Sequence, residues 1–222
     1  MQRTPSVLRK GALTVPLWQG PQRARLRGRV KVMRAAIFHE PRRVEAGDRP
    51  DAGLREPTDA VVRVVLACVC GSDLWYYRGD SPFQPGPIGH EFIGVVEDTG
   101  SEVSEIKKGD LVIAPFGFCD NTCPHCRHGI TSACMNGGFY PANGDGGQGE
   151  AVRVPLADGA LVPGGSAPAR AYIPELLPDV LDGRINPGRV LDYETDLNGI
   201  SDAYAAMDER RAIKSLVRVG SL

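Results

Sequence analysis

Residues 70–91 read CGSDLWYYRGDSPFQPGPIGHE. The stretch opens on Cys70-Gly71-Ser72-Asp73 and closes on Gly89-His90-Glu91, with His90 twenty positions after Cys70. Cys70 ends an apolar run that starts at Ala60, so its thiol falls at a strand-to-helix turn, and His90 opens the next strand. A histidine alone in such a place is more often an ordinary, satisfied residue than a ligand. The company of Cys70 and Glu91 in the same short stretch shifts those odds.

Outward from this stretch the chain reads as short strands. Runs rich in apolar and β-branched residues at Ala35–Phe38, Ala60–Ala67, Phe92–Glu97, Leu111–Ala114 and Ala151–Val154 are each bounded by Gly, Pro or Asp. Gly and Pro make up 45 of the 222 residues, which favours strands and turns over a helical bundle. The fold class expected is mainly β with short helices, as a partly open β-barrel or a sandwich. After Pro163 the character changes. Gly164, Gly165, Ser166 and Pro168 form a link, and apolar positions from Tyr172 to Leu181 follow at helical spacing. A strand at Arg189–Tyr193, a helix over Ile200–Ala212 and a strand at Ser215–Val219 complete an α/β tail.

A second cluster lies at Cys119-x3-Cys123-x2-Cys126-x7-Cys134, four thiols on a loop that also holds Pro124, Gly129 and Gly137. Four thiolates can close a tetrahedral zinc shell and tie down a loop too polar to pack by itself. His125 and His128 are alternative ligands within the same loop, and thiols without metal are the plain alternative. Clustered reduced thiols of this kind fit a reducing compartment.

Taken in order, Cys70-Gly71-Ser72-Asp73, Gly89-His90-Glu91 and the four-cysteine loop resemble the zinc-dependent medium-chain alcohol dehydrogenases, in a branch similar to threonine and glutathione-independent formaldehyde dehydrogenases. The resemblance implies a GroES-like β-barrel catalytic domain over residues 33–163 and, over residues 164–222, a C-terminal remnant of a Rossmann domain. It implies oxidation of a small alcohol or aldehyde, with zinc as Lewis acid and NAD or NADP as hydride acceptor. Cys70 and His90 are then ligands of a catalytic zinc, and Glu91 is a carboxylate able to approach it. Ser72 receives the alcohol proton, and Asp73 orients a neighbouring ligand. Cys119, Cys123, Cys126 and Cys134 are ligands of a structural zinc.

Three departures from that family stand out. Cys119 and Cys123 are separated by three residues where the family has two, which makes Cys119 the least secure ligand. Trp75 stands where many relatives carry a relay histidine, so a proton path ends at water. No cysteine follows Cys134, and no Gly-x-Gly-x-x-Gly occurs, so neither the third catalytic ligand nor the nucleotide-binding βαβ units have room near residues 163–171. The stretch Gly144–Gly149 lacks that spacing and precedes a strand, and is read as a turn with no cofactor role. These absences suggest an internal deletion near Gly164 and Gly165, and little turnover by this chain alone. An apolar face left bare by the lost domain favours self-association into a homo-oligomer.

Charge is uneven along the chain. Residues 1–34 carry nine Lys and Arg and no acid, and the remainder holds 17 bases against 27 acids. A body with a net charge near −10 is a poor binder of nucleic acid. The basic arm over residues 1–32 has no strand or helix period and reads as disordered, or as upstream sequence before a start at Met33. No apolar run reaches the roughly 18 to 20 residues of a membrane span, and no secretory leader is recognisable, so the expected setting is cytoplasmic.

Overall fold

In the computed structural model, the described residues are 31–140, 145–161, 176 and 178–221. All but the last two residues of the basic arm lie outside that description, as do the link at 164–168 and five residues, 172–175 and 177, of the expected helix at 172–181, whose other five residues are helical.

The elements in chain order are β1 (Val32–Glu40), β2 (Arg43–Pro50), β3 (Ala60–Cys68), α1 (Asp73–Arg78), β4 (Gly86–Pro87), β5 (Glu91–Thr99), β6 (Leu111–Ala114), β7 (Gly117–Phe118), α2 (Pro124–Arg127), β8 (Gly138–Phe139), β9 (Ala151–Val154), α3 (Ala157–Ala160), β10 (Leu191–Asp196), α4 (Ile200–Asp208) and β11 (Lys214–Arg218). The chain is mainly β with short helices. Its six-stranded sheet runs in the order β10-β11-β3-β5-β6, with β9 also on β3, and does not close into a barrel among the described residues. A second sheet has the order β2-β1-β4.

The near-continuous apolar sequence of β3 follows from its place at the centre. One edge pairs with β5 from Ala60 to Cys68, and the other is divided. Its first half pairs with β9 at Ala60–Arg63, and its last residues pair with β11 at Leu66–Cys68. Val62 and Val64 are fully buried as a result, each contributing about 1.5 kcal/mol or more by apolar burial. The C-terminal tail therefore completes the same sheet that carries the cysteine and histidine motifs. β10 joins it in parallel through β11, and α4 buries Ile200, Ala203, Tyr204, Ala206 and Met207 in the common core.

β2 was not legible as a strand. Its sequence RVEAGDRP carries Asp, Gly and Pro and lacks a β-branched run, yet it pairs with β1 from Val32↔Pro50 to Glu40↔Arg43. Here the partner strand imposes the extended form.

Asp145–Gly149 corrects the reading of residues 144–149 as a turn. This segment threads between β1 and residues 88–89 as a backbone seam: Ala36 N–H donates to Gln148 O (2.7 Å), Gly147 N–H to Gly89 O (2.7 Å) and Gln148 N–H to Ile88 O (3.2 Å). Its glycines are there for close approach. A Cβ on Gly146 would meet Ile88 N at 2.4 Å, and one on Gly147 would meet the Phe92 ring at 2.6 Å.

Candidate metal centre

The backbone turn after β3 places Cys70. Val69 N–H donates to Ser215 O (3.0 Å), so the run from β11 fixes the chain just before Cys70. Asp73 Oδ2 accepts the Cys70 N–H (3.0 Å) and Asp73 N–H donates to Cys70 O (3.1 Å), which closes the turn and starts α1. The second part of the group begins at Gly89, whose φ of +88° is a left-handed conformation that glycine adopts without strain. His90 follows, buried, and Glu91 begins β5.

One ligand atom from each of Cys70, His90 and Glu91 lies within 4.8 Å of the others. Ser72 Oγ is 3.3 Å from both Cys70 Sγ and His90 Nε2. On the far side of the imidazole, Asp73 Oδ1 is 3.1 Å from His90 Nδ1. Lys214 of β11 places Nζ 2.6 Å from Glu91 Oε2. The residues singled out as Cys70, Ser72, Asp73, His90 and Glu91 thus come together, and Trp75 is exposed beside them.

The charges of the group are coupled. His90 sits against a burial penalty that disfavours its cation, but Asp73 and then Cys70 outweigh it and push its pKa up to about 10. The His90 ring in turn holds the Cys70 thiol below its ordinary value despite partial burial, with help from Ser72. Burial opposes the Lys214 cation too, and Glu91 overcomes that and raises its pKa. Such a pair, with one lowered thiol and an imidazole held from behind, is chemically suited to exchange its proton for a zinc ion. The donor set Cys, His and Glu fits zinc.

The loop at 119–134 forms a second group, with Asp120, Cys123, Cys126 and Cys134 offering atoms within 4.8 Å of one another. Cys123 Sγ is 3.5 Å from Cys126 Sγ and 3.9 Å from Cys134 Sγ. Cys119 lies beside this group, but its Sγ is directed to Gly159 O (3.1 Å) and Asn121 Oδ1 (3.4 Å). Asp120 takes the place at the sulfurs: its N–H donates to Cys134 Sγ (3.3 Å) and its carboxylate accepts from Thr122 N (2.9 Å) and Cys123 N (3.0 Å). The Cys123 N–H and the Asn136 amide hold that carboxyl well below the usual range. Backbone donation by Cys126 draws Cys123 down to about 7, and burial pushes Cys126 up. His125 and His128 turn Nδ1 to the carbonyl oxygens of Ala133 and Pro124, away from the sulfurs.

Sequence reasoning passed over four residues: Asp120, Gln148, Tyr204 and Lys214. Asp120 could have been found, since Asp120-x2-Cys123-x2-Cys126 has the two-residue spacing that Cys119 lacks. The other three carry no local signal, because they reach the site through long-range packing.

Residues 56–164 match the alcohol dehydrogenase GroES-like domain. Zinc-type alcohol dehydrogenase B of Aspergillus flavus is 39% identical over 132 residues, covering 59% of this chain and 31% of that protein. The glutathione-independent formaldehyde dehydrogenase of Bacillus subtilis is 36% identical over 113 residues, covering 46% of this chain and 28% of its own length. The chain therefore spans about a third of these two curated relatives. Among solved structures, the alcohol dehydrogenase TADH from Thermus sp. ATN1 shares the fold, with a TM-score of 0.75 at 21% identity over 84% of this chain and 100% of that one. No helix among the described residues is long and apolar enough to cross a membrane. Residues 56–164 thus form an alcohol dehydrogenase GroES-like domain, and the relatives similar to this part of the chain include zinc-type alcohol dehydrogenases.

Proposed function

We propose that this chain is the zinc-bearing part of an oxidoreductase for a small alcohol or aldehyde, with NAD or NADP as hydride acceptor. The observation that supports it is the donor set at residues 70–91, a lowered thiol, an imidazole held through Nδ1 and a carboxylate within one small sphere. A zinc ion held by Cys70, His90 and Glu91 supplies Lewis acidity toward the substrate oxygen. Asp73 keeps the proton on Nδ1 of His90, leaving Nε2 as the donor atom. Ser72 Oγ, 3.3 Å from Cys70 Sγ and from His90 Nε2, accepts the substrate hydroxyl proton and passes it to water, since Trp75 beyond has no acid–base group. Lys214 anchors one oxygen of Glu91 and so limits how far that carboxylate swings.

Cys123, Cys126 and Cys134 hold a second, structural zinc, and we assign its fourth position to Asp120 in place of Cys119. In this reading residues 33–163 are the catalytic domain and residues 164–222 the remnant of a Rossmann domain whose last strand returns to the catalytic sheet. The nucleotide is expected on a separate dinucleotide-binding domain.

Elemental analysis of the purified chain tests the proposal. About two zinc ions per chain, one of them lost in Cys70→Ser, are expected. About one zinc, unaffected by Cys70→Ser, overturns it in favour of a zinc-bearing module without catalysis.

A further inference from the structure

We propose that Gln148, locked in one amide orientation by Tyr204, is a positioning residue that sets His90 and Cys70 through Asp73. The proposal rests on the reading of Cys70 and His90 as metal ligands and adds residues that lie outside their motifs.

Gln148, Asp73 and Tyr204 are all fully buried. Tyr204 on α4 donates its hydroxyl to Gln148 Oε1 (3.0 Å). The two amide hydrogens on Nε2 go to Cys68 O (3.0 Å) and Asp73 Oδ2 (3.4 Å). Every polar atom of the Gln148 side chain therefore has its partner, and a flip of the amide would set its oxygen against a carbonyl and a carboxylate. Asp73 Oδ2 receives two donors, Gln148 Nε2 and the Cys70 N–H, while Oδ1 has no hydrogen-bond donor and faces the imidazole Nδ1 at 3.1 Å as an ion-pair contact. The same amide grips the backbone of Cys68 at the end of β3, two residues before the thiol ligand.

The space for this side chain is made by the residue before His90. A Cβ on Gly89 would lie 2.4 Å from Gln148 Cγ, so Gly89 serves the left-handed turn and the room for Gln148 at once. Gln148 is also pinned through its backbone to Ala36 and Ile88. The chain Tyr204–Gln148–Asp73–His90 thus joins the C-terminal helix to the imidazole through side chains that are all buried. Removing an outer support of a metal-binding histidine weakens metal affinity by about 10- to 100-fold.

The test uses the full chain and the four histidines of the sequence, whose ring nitrogens separate in long-range proton–nitrogen NMR spectra. In the metal-free protein, His90 is expected to carry a slowly exchanging proton on Nδ1. Gln148→Met is expected to speed that exchange or remove the resonance, and to weaken zinc at Cys70 and His90 by 10- to 100-fold in competition with a chelator while zinc in the 120–134 loop is unchanged. Tyr204→Phe deletes one hydroxyl and should act in the same direction to a smaller degree, and it carries the test if Gln148→Met does not fold. Val152→Ala, at a fully buried position of β9, serves as a destabilised control that leaves His90 untouched. Wild-type His90 resonances and zinc affinity in both Gln148→Met and Tyr204→Phe, with only a lowered Tm, would overturn the proposal and make Gln148 a packing residue. A wild-type chain that takes no zinc at Cys70 sinks the metal reading instead, while the Nδ1 proton still decides the role of Gln148.

Discussion

Replacing Asp120 by Asn separates the two possible fourth ligands of the 119–134 loop. The amide keeps the size of the carboxylate, and its oxygen can still accept from Thr122 and Cys123 N–H, at 2.9 and 3.0 Å. What disappears is an anionic oxygen beside Cys123, Cys126 and Cys134. Loss of a good donor should weaken zinc by at least the roughly 10- to 100-fold seen when only a ligand's support is disturbed, or about 1.4 to 2.7 kcal/mol. With free zinc at 100 times the wild-type Kd, binding contributes about 2.7 kcal/mol of stability. A hundredfold weaker site keeps only about 0.4 kcal/mol under the same conditions. Cys119→Ser is the counterpart: a hydroxyl can still donate to Gly159 O, now 3.1 Å from the thiol, so zinc affinity should stay within about threefold. Chelator competition and thermal melting, both in a Cys70→Ser background, read the two variants. Retained zinc in Asp120→Asn with loss in Cys119→Ser refutes the reasoning and returns the fourth position to the thiol.

Val217→Ala, at a fully buried position in β11 between β10 and β3, should cost about 2 kcal/mol in denaturant unfolding, against less than about 0.5 for exposed Val32→Ala. Gly147→Ala drives a methyl into the Phe92 ring at 2.6 Å and should cost about 1 to 3 kcal/mol, whereas Gly53→Ala, with nothing within 4 Å, should melt like wild type. Asp208, facing Arg78 and Arg42, has its carboxyl held below the usual value by Arg78 foremost. Its pairing therefore stabilises the fold above the unfolded carboxylate pKa of about 4 and is lost as pH falls through the lower folded value. Tm measured against pH should accordingly drop less steeply below about pH 4 in Asp208→Asn than in wild type, and equal acid slopes would refute the assignment.

The sequence carried the central strands well, because β3, β5, β6 and β9 are apolar enough to announce themselves. β6 and β9 fall on the residues expected of them, and the last helix and strand within a few residues. β2 escaped because its extended form is imposed by pairing with β1, and the Asp145–Gly149 seam escaped because glycine signals both turns and close backbone approach. Cys70, His90 and Glu91 were readable through motif order, a local property. Lys214, Gln148 and Tyr204 were not, since their relation to the ligands depends on how β11, the seam and α4 pack, and no spacing along the chain encodes that. Asp120 is a different case: its two-residue spacing to Cys123 is present in the sequence, but one carboxylate next to four thiols carries no separate signal.

The divided edge of β3 bears on the order in which the two proposed zinc sites would fill during folding. The 120–134 loop closes over fifteen residues, so its chain-closure entropy is small and its sulfurs can gather early. Cys70 and His90 are held in place by partners far along the chain, at Gln148, Tyr204 and Ser215, and contacts of that range form late in folding. Refolding in the presence of zinc should therefore show two kinetic phases of uptake. The fast one belongs to the loop, and the slow one follows the docking of β11 against the end of β3.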